Sequence, residues 1–339
     1  MVTINDVAKA AGVSRATASY ALRGDTRIAA ATANKVRRAA SQLQYTANLS
    51  ARSLRSGRNG VIGVAIYELS HAYPAEMSAM MSREIANRGC QAIVQQTSSS
   101  KDSEVAILQR VTSQLCDGMI FSPINVTDQE MRVLSHGKPM VLLDDSSLNP
   151  TYDSIDTPSE SGSRDAIRHL IDIGCRNIVV IGAGYDLLND PQHAHSLEVR
   201  RLRGCLQAFA DRGLTADPRN FVPAPWSSDE AQQRAHQLVQ SGRPFDGAFC
   251  MTDTMAMGFI RGLFDCGKRV PNDVAVVGFD GITEAENFIP SLTTIDTDLH
   301  DLATRAVDLL IRRMRDETLP PQHITAKYRL VVRESTSRQ

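Results

Sequence analysis

Two regimes of hydrophobic patterning divide the chain. Over the first sixty positions, apolar residues recur at helical spacing in short bursts. Ile4, Val7, Ala8 and Ala11 line one face of a first helix, which Thr3 can cap with Asp6 three residues on in place of the usual Glu or Gln. Gly12 supplies a turn, and Ser14 caps a second helix that opens with Arg15 and Ala16. The small side chains of Ala8, Ala16, Ala18 and Ala21 let two helices cross closely, as a helix-turn-helix requires. A third helix, roughly 31–43, carries Val36, Ala39, Ala40 and Leu43 as its inner stripe. The stretch from Asn48 to Gly60 holds only Leu49 and Leu54 as large apolar residues, enough for a short helix that is marginal alone because nucleation is costly.

From Val61 the pattern changes to continuous apolar strands alternating with amphipathic helices, which indicates parallel sheets covered on both faces. Strands are expected at Val61–Ile66, Gln91–Gln95, Gly118–Ser122 and Met140–Leu143, then at Ile178–Gly182, Gly247–Met251 and Val274–Phe279. The two rounds read as two similar doubly wound subdomains. The remaining Leu292–Ile295 strand, Leu299–Met314 helix and Thr325–Val332 strand are too little for a third and complete the first two. The expected organisation is a helix-turn-helix domain over 1–47, a hinge over 48–60 and an α/β core over 61–339. One subdomain takes 61–157 plus 291–320, and the other takes 158–290 plus 321–332.

Charge sharpens this picture. The net formal charge is −1, but residues 1–60 hold ten basic side chains against two acidic ones, a formal +8 that leaves −9 for the rest. That asymmetry is an electrostatic footprint for a phosphate backbone. Leu54, flanked by Arg52 and Arg55, suits a wedge in a minor groove. The six cysteines are scattered without a CxxC pair and read as reduced thiols of a cytoplasmic protein. Neither an N-terminal apolar leader nor an apolar run of membrane-spanning length appears, so neither secretion nor a membrane partner is expected.

Catalytic and cofactor chemistry has little to rest on. Gly182-Ala183-Gly184 follows a strand but lacks a third glycine at nucleotide-loop spacing, and a strand-end turn accounts for it. His193 and His195 have no cysteine or acid at metal-ligand spacing, and no Ser/His/acid set can be assembled. No cofactor is expected, and the chain does not read as an enzyme. Polar and aromatic residues at strand ends carry more, because ligands of open parallel sheets collect at the carboxyl ends of strands. Tyr73 follows the first strand, Asp144 ends the Met140–Leu143 strand, Thr252 and Asp253 follow Met251, and Asp280 follows Phe279. Trp226, the one tryptophan, lies in a Pro-rich loop. An aromatic plate with several carboxylates suits a polyhydroxylated small molecule.

The motifs Thr3-Ile4-Asn5-Asp6-Val7-Ala8, Ala11-Gly12-Val13-Ser14 and Ala51-Arg52-Ser53-Leu54 resemble those of the LacI/GalR family of bacterial transcriptional repressors. So do Asp253-Thr254-Met255-Ala256-Met257-Gly258, Val276-Val277-Gly278-Phe279-Asp280 and Pro290-Ser291-Leu292-Thr293-Thr294-Ile295, and the resemblance spans essentially the whole chain. It implies a homodimer on a pseudo-palindromic DNA operator and a core like a periplasmic sugar-binding protein. By that resemblance Arg15, Ala16 and Tyr20 read bases, while Ser14, Thr17, Ser19, Arg23, Thr32, Tyr45 and Asn48 hold phosphates. Ala51 and Leu54 belong to the minor-groove hinge. Tyr73, Asp144, Arg201, Trp226, Thr252, Asp253 and Asp280 match effector-contacting positions. The effector class it implies is a sugar, with a purine or nucleoside as the alternative. The chain departs from the pattern at Ala18, where Val is usual, at Thr252, where Asn is common, and at Cys175, where His is common. It ends without a leucine-heptad tail, so no tetramerising helix is expected.

Overall fold

The computed structural model describes residues 2–22, 25–45, 59–147 and 150–338. The chain divides into two units, Met1–Asn59 and Gly60–Gln339.

The first unit contains α1 (Ile4–Ala11), α2 (Arg15–Leu22) and α3 (Ala30–Gln42). A reciprocal capping box opens α1: the Asp6 amide donates to Thr3 Oγ1, and the Thr3 amide donates to Asp6 Oδ2 at 2.8 Å. Gly12 closes it in the left-handed region at φ +61, and the following Val13 amide returns to the Ala8 carbonyl at 3.0 Å. Ser14 then caps α2, its Oγ accepting from the Thr17 amide at 3.0 Å. The core of the unit is built mainly from alanines around Val7 and Val36, and Ala18 and Ala21 are fully buried. Side chains this small set the helices close together.

The second unit alternates strands and helices. Its first part runs through β1 (Val61–Ile66), α4 (Ala72–Asn87) and β2 (Gln91–Gln96). It continues with α5 (Lys101–Ala106, running on through Ile107–Thr112 and Ser113–Leu115), β3 (Gly118–Phe121), α6 (Asp128–Leu134), β4 (Met140–Leu143) and β5 (Asp153–Asp156). The second part holds α7 (Ser159–Asp172), β6 (Ile178–Ile181), α8 (Leu197–Asp211), β7 (Phe221–Val222) and α9 (Ser228–Gln240). After these come β8 (Gly247–Cys250), α10 (Asp253–Asp265), β9 (Ala275–Asp280), α11 (Glu284–Asn287) and β10 (Thr293–Asp296). The chain closes with α12 (Leu299–Arg315), β11 (His323–Thr325) and β12 (Arg329–Val331). Among the described residues these strands form two six-stranded sheets, ordered β11-β5-β4-β3-β1-β2 and β12-β10-β9-β8-β6-β7. Every pairing is parallel except β10 with β12. The central strands β3, β4, β6 and β8 are buried along their length, as continuous apolar runs require.

The structure corrects the expected subdomain boundaries in two places. The strand at Thr293–Asp296, assigned from sequence to the first subdomain within 291–320, pairs with β9 in the second sheet. The single strand expected over Thr325–Val332 is two strands in different sheets. β11 adds to β5, and β12 pairs antiparallel with β10. Between them the Ala326 amide donates to the Asp156 carbonyl at 2.8 Å, and the Tyr328 hydroxyl donates to Asp165 at 2.9 Å. Hydrophobic alternation marks a strand but carries no information about which of two free sheet edges receives it. The chain therefore passes between sheets after β5, after β10 and between β11 and β12. Among the described residues no helix is long and apolar enough to cross a membrane.

Candidate functional site

In the first unit the outward face of α2 is set by what the core takes. Ala18 and Ala21 are buried, which at helical spacing leaves Arg15 and Ala16 exposed on the first turn and Ser19 and Tyr20 partly exposed further along. The Ser14 and Thr17 hydroxyls lie 2.9 Å apart at the start of the helix, where backbone N–H groups also point outward. The Arg27 guanidinium sits 4.7 Å from the centre of the Tyr20 ring. It is itself held by Asp25 through Nε at 2.9 Å and Nη2 at 2.7 Å. Sequence reading missed this pair, because its partners lie across a turn whose geometry the pattern does not encode. Thr32 and Tyr45 are partly exposed, Tyr45 packing on the helical core. Arg23, Asn48, Ala51 and Leu54 lie outside the described residues.

In the second unit the carboxyl ends of the two sheets face one another, and their side chains meet in a cleft. From the first sheet come Tyr67, directly after β1, Tyr73 on the first turn of α4, Asp144 after β4 and Asp156 at the end of β5. From the second come Asp280 at the end of β9 and Arg201 on α8. Arg201 is 2% exposed, donates through Nη1 to the Met251 carbonyl and places Nη2 3.7 Å from Asp280 Oδ1. Its guanidinium lies 3.7 Å from the centre of the Phe279 ring and 4.9 Å from that of Trp226. Among the described residues its Nε has no hydrogen-bond partner, nor does the buried Tyr73 hydroxyl. Thr297 stands beside that hydroxyl and donates its own proton to the Asp280 carbonyl at 3.0 Å, so toward Tyr73 it can act only as an acceptor.

The electrostatics of the cleft are those of crowded acids. Burial pushes the Asp280 carboxyl well above the ordinary carboxylate range; Arg201 opposes this, and Asp253 and Asp144 add to it. Burial also raises Asp156 to about 7, reinforced by Asp144 and opposed by Arg200. The Tyr67 and Tyr73 hydroxyls are both pushed up, by burial first and by the neighbouring carboxylates second.

Contacts of Arg200 and Glu76 bridge the cleft. Arg200 on α8 donates to the Asp145 carbonyl and to the His195 carbonyl at 2.9 Å, and places Nη1 3.7 Å from Asp156 Oδ2. From the opposite side, Glu76 on α4 accepts from the Thr283 amide at 3.0 Å.

Three of the residues singled out from the sequence also hold the structure. Asp253 does not face the cleft. It is fully buried, Oδ2 accepting from the Gly281 and Ile282 amides at 2.8 and 3.0 Å and Oδ1 from the Thr294 hydroxyl at 2.6 Å, so its carboxylate is consumed by the turn that follows Asp280. Thr252 caps α10, its Oγ1 accepting from the Met255 amide at 3.1 Å, which leaves its hydroxyl proton to donate elsewhere. Trp226 is not a bare stacking plate. It donates Nε1 to the Gly182 carbonyl at 3.1 Å and carries Arg201 on a ring face. Conversely, Tyr67, Asp156 and Arg200 join the cleft without having been singled out. Tyr67 follows its strand directly, so the strand-end argument reaches it, whereas Asp156 ends a strand the pattern did not reveal.

Comparison with known proteins places both units. The model of bacterial regulatory proteins of the lacI family matches residues 3–48, and that of the periplasmic binding protein-like domain matches 167–336. The ribose operon repressor of Halalkalibacterium halodurans is 29% identical over 337 residues, covering 99% of this chain and 97% of that protein. A solved transcriptional regulator of the LacI family from Sanguibacter keddieii is 31% identical with a TM-score of 0.74, over 83% of this chain and 99% of that one. The lac repressor dimer bound to operator and the anti-inducer ONPF superposes with a TM-score of 0.81 at 26% identity, over 99% of both chains. These relatives are regulators rather than enzymes. With an alanine-cored helix-turn-helix ahead of two parallel sheets facing across a polar cleft, the chain belongs to the LacI family of bacterial regulatory proteins.

Proposed function

We propose that this repressor acts in the cytoplasm as a homodimer on a pseudo-palindromic DNA operator and answers to a sugar in the cleft of its second unit. Arg15 and Ala16, exposed on the first turn of α2, are the base readers together with Tyr20. An arginine here can bridge guanine O6 and N7, and Ala16 offers an apolar contact. Ser14, Thr17, Ser19, Arg23, Thr32, Tyr45 and Asn48 are assigned to phosphates, and Ala51 and Leu54 to the minor groove at the operator centre. Effector binding biases an equilibrium between two core states, by no more than its differential affinity for them.

One observation carries the effector reading. The Tyr73 hydroxyl and Arg201 Nε, both buried, lack hydrogen-bond partners among the described residues where Asp144 and Asp280 act on the site. Buried polar atoms left unpaired cost ~1–3 kcal/mol each, and ligand hydroxyls relieve that cost while donating to the carboxylates. Tyr73, Asp144, Arg201 and Asp280 are the proposed contacts, with Tyr67 and Thr252 at their margin. Trp226 orients Arg201, and Asp253 braces the turn behind Asp280. A purine is the second reading, since Tyr67 and Tyr73 can stack a base.

Thermal-shift screening of the full chain against mono- and disaccharides and nucleobases tests the reading, because a ligand at ~100 times its Kd adds ~2.7 kcal/mol. The ligand that shifts the transition is expected to change affinity for an operator obtained by binding-site selection. A stabilising ligand that leaves DNA affinity unchanged would sink the regulatory link.

A further inference from the structure

We propose that Arg27 is a positioning residue for DNA recognition: tethered by Asp25, its guanidinium backs the Tyr20 ring and fixes the direction in which Tyr20 meets the operator. The inference rests on Tyr20 being a base reader, as proposed above, and adds the device that holds it.

Tyr20 stands one turn beyond Ala16 on the outward face of α2, since Ala18 and Ala21 go to the core. A long side chain on a helix leans toward the preceding turn, here across Ala16, which offers one methyl group to pack against. The turn after the helix supplies more. The Asp25 amide donates to the Tyr20 carbonyl at 3.1 Å and Ile28 packs on the helical core, so the backbone is anchored on both sides of Arg27. Asp25 Oδ1 accepts from the Arg27 amide at 3.0 Å and from Nε at 2.9 Å, while Oδ2 accepts from Nη2 at 2.7 Å. That fork fixes the guanidinium plane, whose central carbon lies 4.7 Å from the Tyr20 ring centre.

The arrangement serves position rather than stability or charge. The Arg27 side chain is 71% exposed, and an ion pair in that much water adds little to folding. The acids among residues 1–60 are Asp6 and Asp25 alone. Asp6 caps α1, whereas Asp25 is set against Arg27, so that the pair presents no net charge to a phosphate backbone. An arginine meant to grip phosphate gains nothing from such a partner. One meant to hold a plane does.

The test uses the full chain: binding-site selection, then anisotropy titration of operators varied one base pair at a time. Tyr20→Ala marks the base pair of each half-site that Tyr20 reads. Arg27→Ala should lower discrimination at that same base pair by ~2–5-fold, the worth of an exposed cation–π contact, and leave other positions unchanged. Combining it with Tyr20→Ala should discriminate no worse than Tyr20→Ala alone. Arg27→Lys keeps the charge without the flat fork and should not restore discrimination. Asp25→Ala should lower the same discrimination while non-specific affinity rises, because an acid has left the basic unit. The exposed Arg27 variants decide even where Asp25→Ala does not fold. A uniform loss over all sequences in Arg27→Ala, with the salt slope lower by about one and Arg27→Lys restoring it, makes Arg27 a phosphate contact and overturns the proposal. Relaxation at a base pair that Tyr20→Ala leaves untouched overturns it too, as does no change anywhere. If Tyr20→Ala relaxes no position while Arg15→Ala relaxes one, the assignment of Tyr20 falls with the proposal and the operator reading stands. A selection that yields no preferred sequence refutes all three.

Discussion

Asp253 offers the sharpest test of how the cleft is built, since the family motif singles it out and the structure hides it. Its carboxylate accepts from two amides and one hydroxyl in a site with no solvent exposure. Asp253→Ala strands all three donors. At ~1–3 kcal/mol for each unpaired buried group, and allowing the Thr294 hydroxyl to rotate to a new partner, the loss of stability is ~3–5 kcal/mol. Asp253→Asn should behave quite differently. Its carbonyl can serve both amides that Oδ2 serves, and its NH2 can donate to the Thr294 hydroxyl, which then accepts.

Proton linkage supplies an independent readout. Burial raises the Asp253 carboxyl from its ordinary 3.8 to about 6, against the pull of its three donors. A raised carboxyl favours the folded state while protonated, so that contribution is complete below pH 3.8 and is lost as the pH climbs through about 6. At ~1.4 kcal/mol per pH unit the change amounts to ~3 kcal/mol. D253N, which cannot ionise, should match the wild type near pH 4 and equal or exceed it at pH 7.5. Asp156 and Asp280, raised in the same direction, are present in both chains and largely cancel in the comparison. Urea unfolding of wild type, D253N and D253A followed by circular dichroism between pH 4 and 7.5 measures all of this. Parallel pH profiles for wild type and D253N, or a D253A loss below ~1 kcal/mol, would refute the bracing role.

Three further outcomes follow from the same contacts. Arg201→Ala leaves Asp280 buried without its cation and should cost ~3–5 kcal/mol by thermal denaturation, more at pH 7.5 than at pH 5 because the unpaired carboxyl escapes its charge by taking a proton. A Cβ at Gly204 on α8 would overlap the Glu160 carbonyl oxygen of α7, so Gly204→Ala should force those helices apart and cost at least ~2 kcal/mol, whereas Gly213→Ala, which meets open space, should cost less and only through its left-handed backbone. Arg15→Ala should relax one operator base pair by ~1–3 kcal/mol in binding-site selection, and Arg27→Ala, acting through the Tyr20 ring it covers, should relax a different position by less.

The first unit was legible because its determinants are local. Thr3, Asp6, Gly12 and Ser14 each act within four residues, so spacing alone gives caps, turn and helix order. The strand β5 was not, because it reads Asp-Ser-Ile-Asp and is nonetheless buried. Asp153 is paid for by Arg313 at 2.8 Å and by the Gln322 amide at 2.8 Å, and Ser154 meets His323 at 3.1 Å. Those partners are far away in sequence, and no window of hydrophobic pattern contains them. The same distance explains why β10 and β11 were shared out wrongly between the sheets.

What the site required beyond its sequence is connected to that error. Asp156 is the last residue of β5, and Thr297, whose hydroxyl and amide both donate to the Asp280 carbonyl, directly follows β10. These are the points where the chain leaves one sheet for the other. A strand-end rule applied within each sheet finds Asp144 and Asp280 but passes over residues whose strands are recognisable only after the crossovers are known. The geometry also bears on function. Asp156 ends β5 at one crossover, and Thr297, at the start of another, holds the Asp280 carbonyl. On the effector reading proposed above, D156N, placed at one of these crossovers, should change effector affinity in calorimetric titration and the effector's influence on operator binding together; a change in the first without the second would refute the link.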